Sequence, residues 1–175
     1  VYDAATVYAG HPAFTSRLVV GDDSAAGAEQ SEINHATHAA GTAVGSGYGS
    51  PIGRDLKGMA PGARVISYGY QSLGGDSSLY LYTDPGDIEA DWRNARVLHG
   101  ADIGTSSIGT NVAANGYDCS WEGNYGAVSQ LIDGIVRGSL GAPYITTWAA
   151  GNERSGGRCG YLYSTTPPPS NAKNP

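Results

Sequence analysis

Apolar residues recur along this chain in two rhythms, one helical and one of short continuous runs. Between about Gly123 and Leu140, Val128, Leu131, Ile132, Ile135, Val136 and Leu140 fall on one stripe at helical spacing, which predicts an amphipathic helix. A second helix is expected over Asp87 to Leu98, with Ile88, Trp92 and Ala95 turned inward. A third is expected to begin at His35, with Asn34 as an N-cap accepting a first-turn N–H. Short apolar runs near glycines lie between these helices. Arg64 to Tyr68, Ala101 through Gly104 onward and Pro143 to Trp148 read as buried strands, and Val1-Tyr2 as the tail end of another. Strands alternating with helices of this length predict βαβ crossovers, hence an α/β fold with a mostly parallel sheet flanked by helices. Functional loops in such a sheet lie beyond the carboxyl ends of its strands. No internal repeat or long linker interrupts the pattern, so residues 1–175 are read as belonging to one domain.

Composition sharpens this picture. Glycine supplies 27 of 175 residues, which favours tight turns and close backbone approaches over a helical bundle. Charged residues are only 15%, too few for a solvated disordered chain. The formal net charge is -6, the only lysines are Lys57 and Lys173, and the arginines are scattered, so a nucleic-acid surface is excluded. No apolar run approaches the roughly 20 residues that span a bilayer, so no membrane partner is expected. The chain has neither an initiator Met nor a signal-peptide pattern, and Val1 reads as a processed or cropped end.

Cys119 and Cys159 form an even pair that either bridges or stays as two buried thiols. A bridge would be worth about 4 kcal/mol in the chain-entropy model, less any strain. Scarce lysine, abundant glycine, tyrosine and serine, and an acidic balance tilt the reading toward a secreted or extracytoplasmic protein with a disulfide.

Three polar residues stand where a parallel sheet presents its chemistry. Asp3 follows the strand-like Val1-Tyr2, His35 opens the run Asn34-His35-Ala36-Thr37-His38-Ala39-Ala40-Gly41-Thr42, and Asn152 directly follows a strand in Trp148-Ala149-Ala150-Gly151-Asn152-Glu153. Singly, each is ordinary: a turn aspartate, a structural histidine and a loop asparagine. Together with their surroundings they resemble the subtilisin-like serine proteases. His35 to Thr42 resembles that family's His-Gly-Thr-His-Val-Ala-Gly-Thr motif, and Gly58-Met59-Ala60-Pro61 the Gly-Val-Ala-Pro segment that follows it. Ala149 to Glu153 resembles the oxyanion-hole motif. Asp3 precedes His35 by 32 positions, a separation typical of the family, and is followed by His11-Pro12 as it often is there. The matches run in the family's order along nearly the whole chain.

The resemblance implies a three-layer domain with a mostly parallel central sheet, and a serine endopeptidase acting on polypeptide substrates through an acyl-enzyme. His35 would be the general base and later the acid, because a serine hydroxyl is a poor nucleophile until an imidazole takes its proton. Asp3 would fix the tautomer and stabilise the transient imidazolium. Asn152 would donate its side-chain amide to the oxyanion. Ser107-Ile108-Gly109 resembles one wall of the primary specificity pocket, and Ala149, Ala150 and Gly151 would form the other, the substrate pairing along them as an extended strand. Glu153 would lie near the pocket base or stay a solvated loop carboxylate. No cofactor is required for this chemistry. Structural calcium is common in the family, and Asp22-Asp23 raise the thought, although two adjacent carboxylates are not a coordination shell.

The chain departs from the family in one large respect. The nucleophile of the family lies in Gly-Thr-Ser-Met-Ala beyond the oxyanion asparagine, and no such motif follows Asn152 here. Gly104-Thr105-Ser106 imitates its start but precedes Asn152, so Ser106 reads as a strand end. The tail from Ser164 to Pro175 resembles the stretch before the family's next strand. Residues 1–175 are therefore expected to be part of a domain whose N-terminal strand or strands and serine-bearing part lie elsewhere, in a continuation or a second polypeptide. Ala4-Ala5 and Ala36 replace residues that are usually Thr-Gly or Ser-Gly and Gly, and would be strained if those positions required positive φ. A zinc pair at His35 and His38 is the weaker reading, since Ala36 stands where the protease helix needs glutamate. Gly45 to Gly49 follows a helix and is no nucleotide fingerprint. The serious rival is a non-catalytic subtilisin-like domain that binds peptides or proteins.

Overall fold

The computed structural model describes residues 1–21, 28–48, 52, 54, 56–70, 85–110, 112, 113, 116–152, 154, 159 and 166–175. The chain divides into two compact units, Val1–Tyr70 and Gln71–Pro175. Parallel strands and helices build both, and the class is α/β. Among the described residues no helix is long and apolar enough to cross a membrane.

The first unit holds a three-stranded parallel sheet in the order β1-β5-β2, with β1 at Tyr2–Asp3, β2 at Leu18–Val20 and β5 at Val65–Gly69. Asp3 pairs with Gly69 and Leu18 with Val65. Every residue of β5 is buried, as expected of a central parallel strand. Helix α1, Gln30–Val44, packs its small side chains Ala36 and Ala40 into a core with Val7, Phe14 and Val65. Burying each of those larger side chains contributes about 1.5–3 kcal/mol. The hairpin of β3 (Ser46–Gly47) and β4 (Leu56–Lys57) follows.

Helix α1 starts a full turn before the expected His35. Glu29 is its N-cap, and the Glu32 carboxylate accepts the Glu29 N–H at 2.8 Å. Asn34 is therefore inside the helix, where it accepts a bond from the Gln30 side chain at 2.9 Å. His35 thus lies beyond the first turn, where the field of the helix N-terminus has largely decayed. The other end of α1 gives the Gly58-Met59-Ala60 segment a physical role. Gly58, Met59 and Ala60 donate their N–H groups to Gly45, Thr42 and Ala43 carbonyls at 2.8, 3.1 and 2.8 Å, satisfying acceptors that a helix C-terminus leaves open. Gly58 has no room for a side chain, since a Cβ there would stand 2.6 Å from three backbone atoms of α1 and its cap. Arg17 completes the cap by donating to the Val44 carbonyl at 3.2 Å.

The second unit pairs β6, Ile103–Ser106, with β7, Ile145–Trp148, in parallel, Ser106 opposite Trp148. Helix α2, Pro85–Val97, buries Ile88, Trp92 and Ala95 as its spacing predicts. Trp92 stacks on Trp148 with ring centroids 5.6 Å apart and meets Tyr144 edge-on at 5.4 Å, against a β6 surface left bare by Gly104. Helix α3 is shorter than its apolar stripe, Ala127–Val136, because Gly126 is extended and Gly138 takes a φ of 102°. Leu140 is buried beyond its end. The strand pair is not buried throughout: Ile103 and Ile145, opposite one another, are 61% and 62% exposed.

Candidate active site

In the first unit, Asp3 ends β1 with no exposed surface. Its Oδ1 lies 2.7 Å from Nδ1 of His35 and accepts the Ala4 N–H at 2.7 Å. An ionised carboxylate only accepts hydrogen bonds, so this contact requires the proton on Nδ1 and leaves the Nε2 lone pair available. The His35 side chain is 46% exposed, so one end of the imidazole is held in the interior and the other meets solvent. Burial pushes the Asp3 carboxyl above its ordinary range, against the opposing pull of His35 and the Ala4 N–H. Among the described residues its Oδ2 is buried with no hydrogen-bond partner.

Two hydroxyls that the motif reading passes over hold the surrounding chain. Ser67 on β5 accepts the Val7 N–H at 2.9 Å, and Thr37, within the His35 run, accepts the Tyr8 N–H at 2.9 Å while donating to the Ile33 carbonyl. A single serine inside the apolar run from Arg64 to Tyr68 was the available sign of the first. His11 has a local role: Nδ1 accepts the Ala13 N–H at 3.3 Å, and the ring packs on Phe14, opening the short 3-10 turn Pro12–Phe14. Among the described residues the only non-glycine at positive φ is Ser16, so Ala4, Ala5 and Ala36 carry no such strain. Ala36 is wholly buried on the core-facing side of α1.

Among the described residues no three His, Cys, Asp or Glu side chains converge as a metal site. Asp22, Asp23, Gly49 and Glu153 lie outside the described residues.

In the second unit, both expected pocket walls leave the carboxyl ends of adjacent strands. Ser107-Ile108-Gly109 continues β6, and Ala149-Ala150-Gly151 continues β7, joined at their base by the Ala149 N–H to the Ser106 carbonyl at 3.0 Å. Ser107 is exposed and Ile108 is buried. A Cβ on Gly109 would stand 3.4 Å from Pro167 Cγ and 3.9 Å from the Ala149 carbonyl, so this glycine lies between the opposite wall and the proline-rich tail. Thr110 fastens that tail, with its N–H and hydroxyl both donating to the Pro168 carbonyl at 3.1 and 2.9 Å. Gly151 turns the chain with a φ of 93°, and Asn152 beyond it is exposed. Ser106 is the last residue of β6 and is 2% exposed, a strand end as its sequence position suggests. Cys119 and Cys159 are joined as a disulfide.

A buried aspartate at a strand end is thus paired to a half-exposed helical histidine within an α/β fold. The model of the subtilase family matches residues 8–174, and the chain belongs to that family of serine peptidases. The match begins just after Asp3 and takes in His35, both walls, Asn152 and the disulfide. No curated protein and no solved structure matches the chain.

Proposed function

We propose that this chain supplies the aspartate, the base and the oxyanion-side loop of a secreted serine endopeptidase, as part of a domain whose nucleophilic serine lies outside these residues. The observation that carries the reading is the 2.7 Å contact between a fully buried Asp3 and a half-exposed His35. With Nδ1–H held by Asp3, His35 Nε2 takes the serine proton as the hydroxyl attacks the substrate carbonyl, then returns it to the leaving amine. Asp3 stabilises the imidazolium in between. Asn152 donates its side-chain N–H to the oxyanion, an interaction whose loss typically raises the barrier by about 2.7–4 kcal/mol. The polypeptide substrate lies extended between Ser107–Gly109 and Ala149–Gly151, pairing with their backbone. Water completes the cycle by hydrolysing the acyl-enzyme.

Labelling of the full-length protein with a serine-reactive fluorophosphonate, followed by peptide mapping, tests this. The expected result is one labelled serine beyond Pro175 or on a second polypeptide, with labelling abolished by His35→Ala. A label on Ser106 overturns the assignment. No label, in protein free of any inhibitory segment, favours a peptide-binding domain without catalysis.

A further inference from the structure

The tail at 166–175 joins two parts of the second unit that lie far apart in sequence, the wall read in Ser107, Ile108 and Gly109 and the helix α3. At the wall end, Thr110 directly follows Gly109 and donates its N–H and its hydroxyl to the Pro168 carbonyl at 3.1 and 2.9 Å. Pro167, Pro168 and Pro169 are all buried there, and a Cβ on Gly109 would meet Pro167 Cγ at 3.4 Å. On the other side of the wall, the Ser106 carbonyl accepts the Ala149 N–H at 3.0 Å. The three wall residues are thus flanked by a tie to the opposite wall and a tie to the tail.

At the helix end, Asn171 accepts the Ser129 hydroxyl and donates to the Asn124 carbonyl, both at 2.6 Å. Two residues on, Lys173 and Asn174 give three hydrogen bonds to the Asp133 carboxylate. Between its ends the tail is folded on itself. Ser170 donates its N–H and its hydroxyl to the Pro167 carbonyl at 3.0 and 2.6 Å, and the Ala172 N–H bonds the Pro169 carbonyl at 2.9 Å. Successive prolines fix their own φ, so this segment passes on a displacement instead of absorbing it. An unbroken series of contacts therefore runs from Asp133 to Gly109.

We propose that Asp133 and Thr110 are positioning residues for substrate binding, the tail acting as a strut that sets the far end of the 107–109 wall from α3. This rests on the reading of Ser107, Ile108 and Gly109 as a substrate wall. Extended pairing needs the N–H and C=O groups of the wall within a narrow range of distance and angle, outside which hydrogen bonds weaken steeply. Those bonds form with the bound substrate and persist in the transition state. Loosening the wall therefore weakens both equally and shows in KM, with kcat little changed.

Steady-state kinetics of the full-length enzyme, with a fluorogenic substrate chosen from a peptide library, test this. Thr110→Val keeps the shape and removes the hydroxyl, and is expected to raise KM by about threefold to tenfold with kcat within about twofold. Thr110→Ser restores the donor and should return KM to within about twofold of the wild type. Asp133→Asn should raise KM by about twofold to fivefold, and by less in the Thr110→Val background, where the strut is already cut from the wall. Unchanged KM in both variants, a fall in kcat in place of the rise in KM, or increases that simply multiply overturns the proposal. Should either variant fail to fold, Asn171→Ala breaks the links to Ser129 and Asn124 at a half-buried position, and an unchanged KM there overturns it equally.

Amide exchange gives a readout that needs no substrate. Asp133→Asn should quicken exchange at Gly109 and Thr110 beyond the rise that lost stability brings to α3 and β6. An equal rise throughout assigns Asp133 to general stability and overturns the proposal. The wall reading is tested apart, by exchange in the wild-type enzyme with the matching peptide boronate bound. Slowed amides at Ser107, Ile108 and Gly109 support it, whereas unslowed ones sink that reading and the substrate role with it, whatever the variants show.

Discussion

In Val1–Tyr70, beside the Asp3–His35 contact, side chains tie down backbone elsewhere in the unit: Ser67 accepts from Val7, Thr37 accepts from Tyr8, and Arg17 donates to the end of α1. In Gln71–Pro175 the candidate walls are backbone themselves, and they are held by strand ends and by Thr110 on Pro168. The proposed function accounts for the difference by what each unit would have to place. An aspartate–histidine pair needs two side-chain atoms in register and one of them dry, which suits a strand end and a helix face meeting over a packed core. On the same proposal the second unit would present extended backbone and a side-chain amide near an open surface, which gains little from core packing and depends on ties along the chain.

The largest expected effect comes from Asp3→Asn, which keeps the volume and removes the charge. Activity of the full-length enzyme should fall by roughly 10⁴-fold, because the amide no longer selects the Nδ1–H tautomer or stabilises the imidazolium. Stability should move in the opposite sense at neutral pH. Burial raises the folded-state pKa of Asp3, so between its ordinary value and the raised one the native chain binds more protons than the unfolded chain, and stability falls as pH rises. Asparagine does not titrate. The stability of the native chain relative to the variant should therefore decline as pH climbs through that window, measured as paired thermal melts from acid to neutral pH. Parallel curves would show that burial does not govern this carboxyl.

A smaller effect probes how α1 is finished. Gly58→Ala places a methyl group against the Gly41 carbonyl and the Val44 and Gly45 nitrogens, none of which is the end of a flexible side chain. The expected loss is about 1–3 kcal/mol of stability, with faster amide exchange at Gly58, Met59 and Ala60 as the cap opens. Wild-type exchange at those amides would mean that the cap yields without cost, and that the side chains around Asp3 hold His35 on their own.

How much of this was legible in the sequence follows the same division. The Asp3–His35 pairing could be anticipated because two short motifs at a familiar separation carry it. The helix beneath it could be placed only in part, since Asn34 has the chemistry of an N-cap, whereas the helix starts from a carboxylate pair at Glu29 and Glu32. The inward stripe of α2 was readable residue by residue. Exposure of Ile103 and Ile145 was not, because an apolar run reports what a strand could bury and not what lies against it. The two cysteines left pairing open until geometry joined them. Thr110, Pro167 and Pro168 were given no role because they act through donors from one threonine to a backbone carbonyl and through a ring edge, which no motif records.

The smallest effect concerns the clasp that holds the proline-rich tail against α3. Asp133 accepts from the Lys173 N–H, the Asn174 N–H and the Asn174 side chain at 2.8, 2.9 and 3.0 Å through Oδ1, and from the Tyr125 hydroxyl at 2.7 Å through Oδ2. Desolvation pushes its pKa up, but these donors together outweigh that push and hold it below the ordinary value. A depressed folded-state pKa makes the contribution complete above the unfolded value and lost as pH falls through the folded one. Asp133→Asn keeps one acceptor oxygen and gives up the charge, so it should cost about 1–2 kcal/mol at neutral pH in urea melts, with the gap closing in strong acid where the native side chain is itself protonated. A gap that persists undiminished there would assign the clasp to shape and packing instead of charge. That outcome would bring this unit closer to the first, where neutral hydroxyls do the holding.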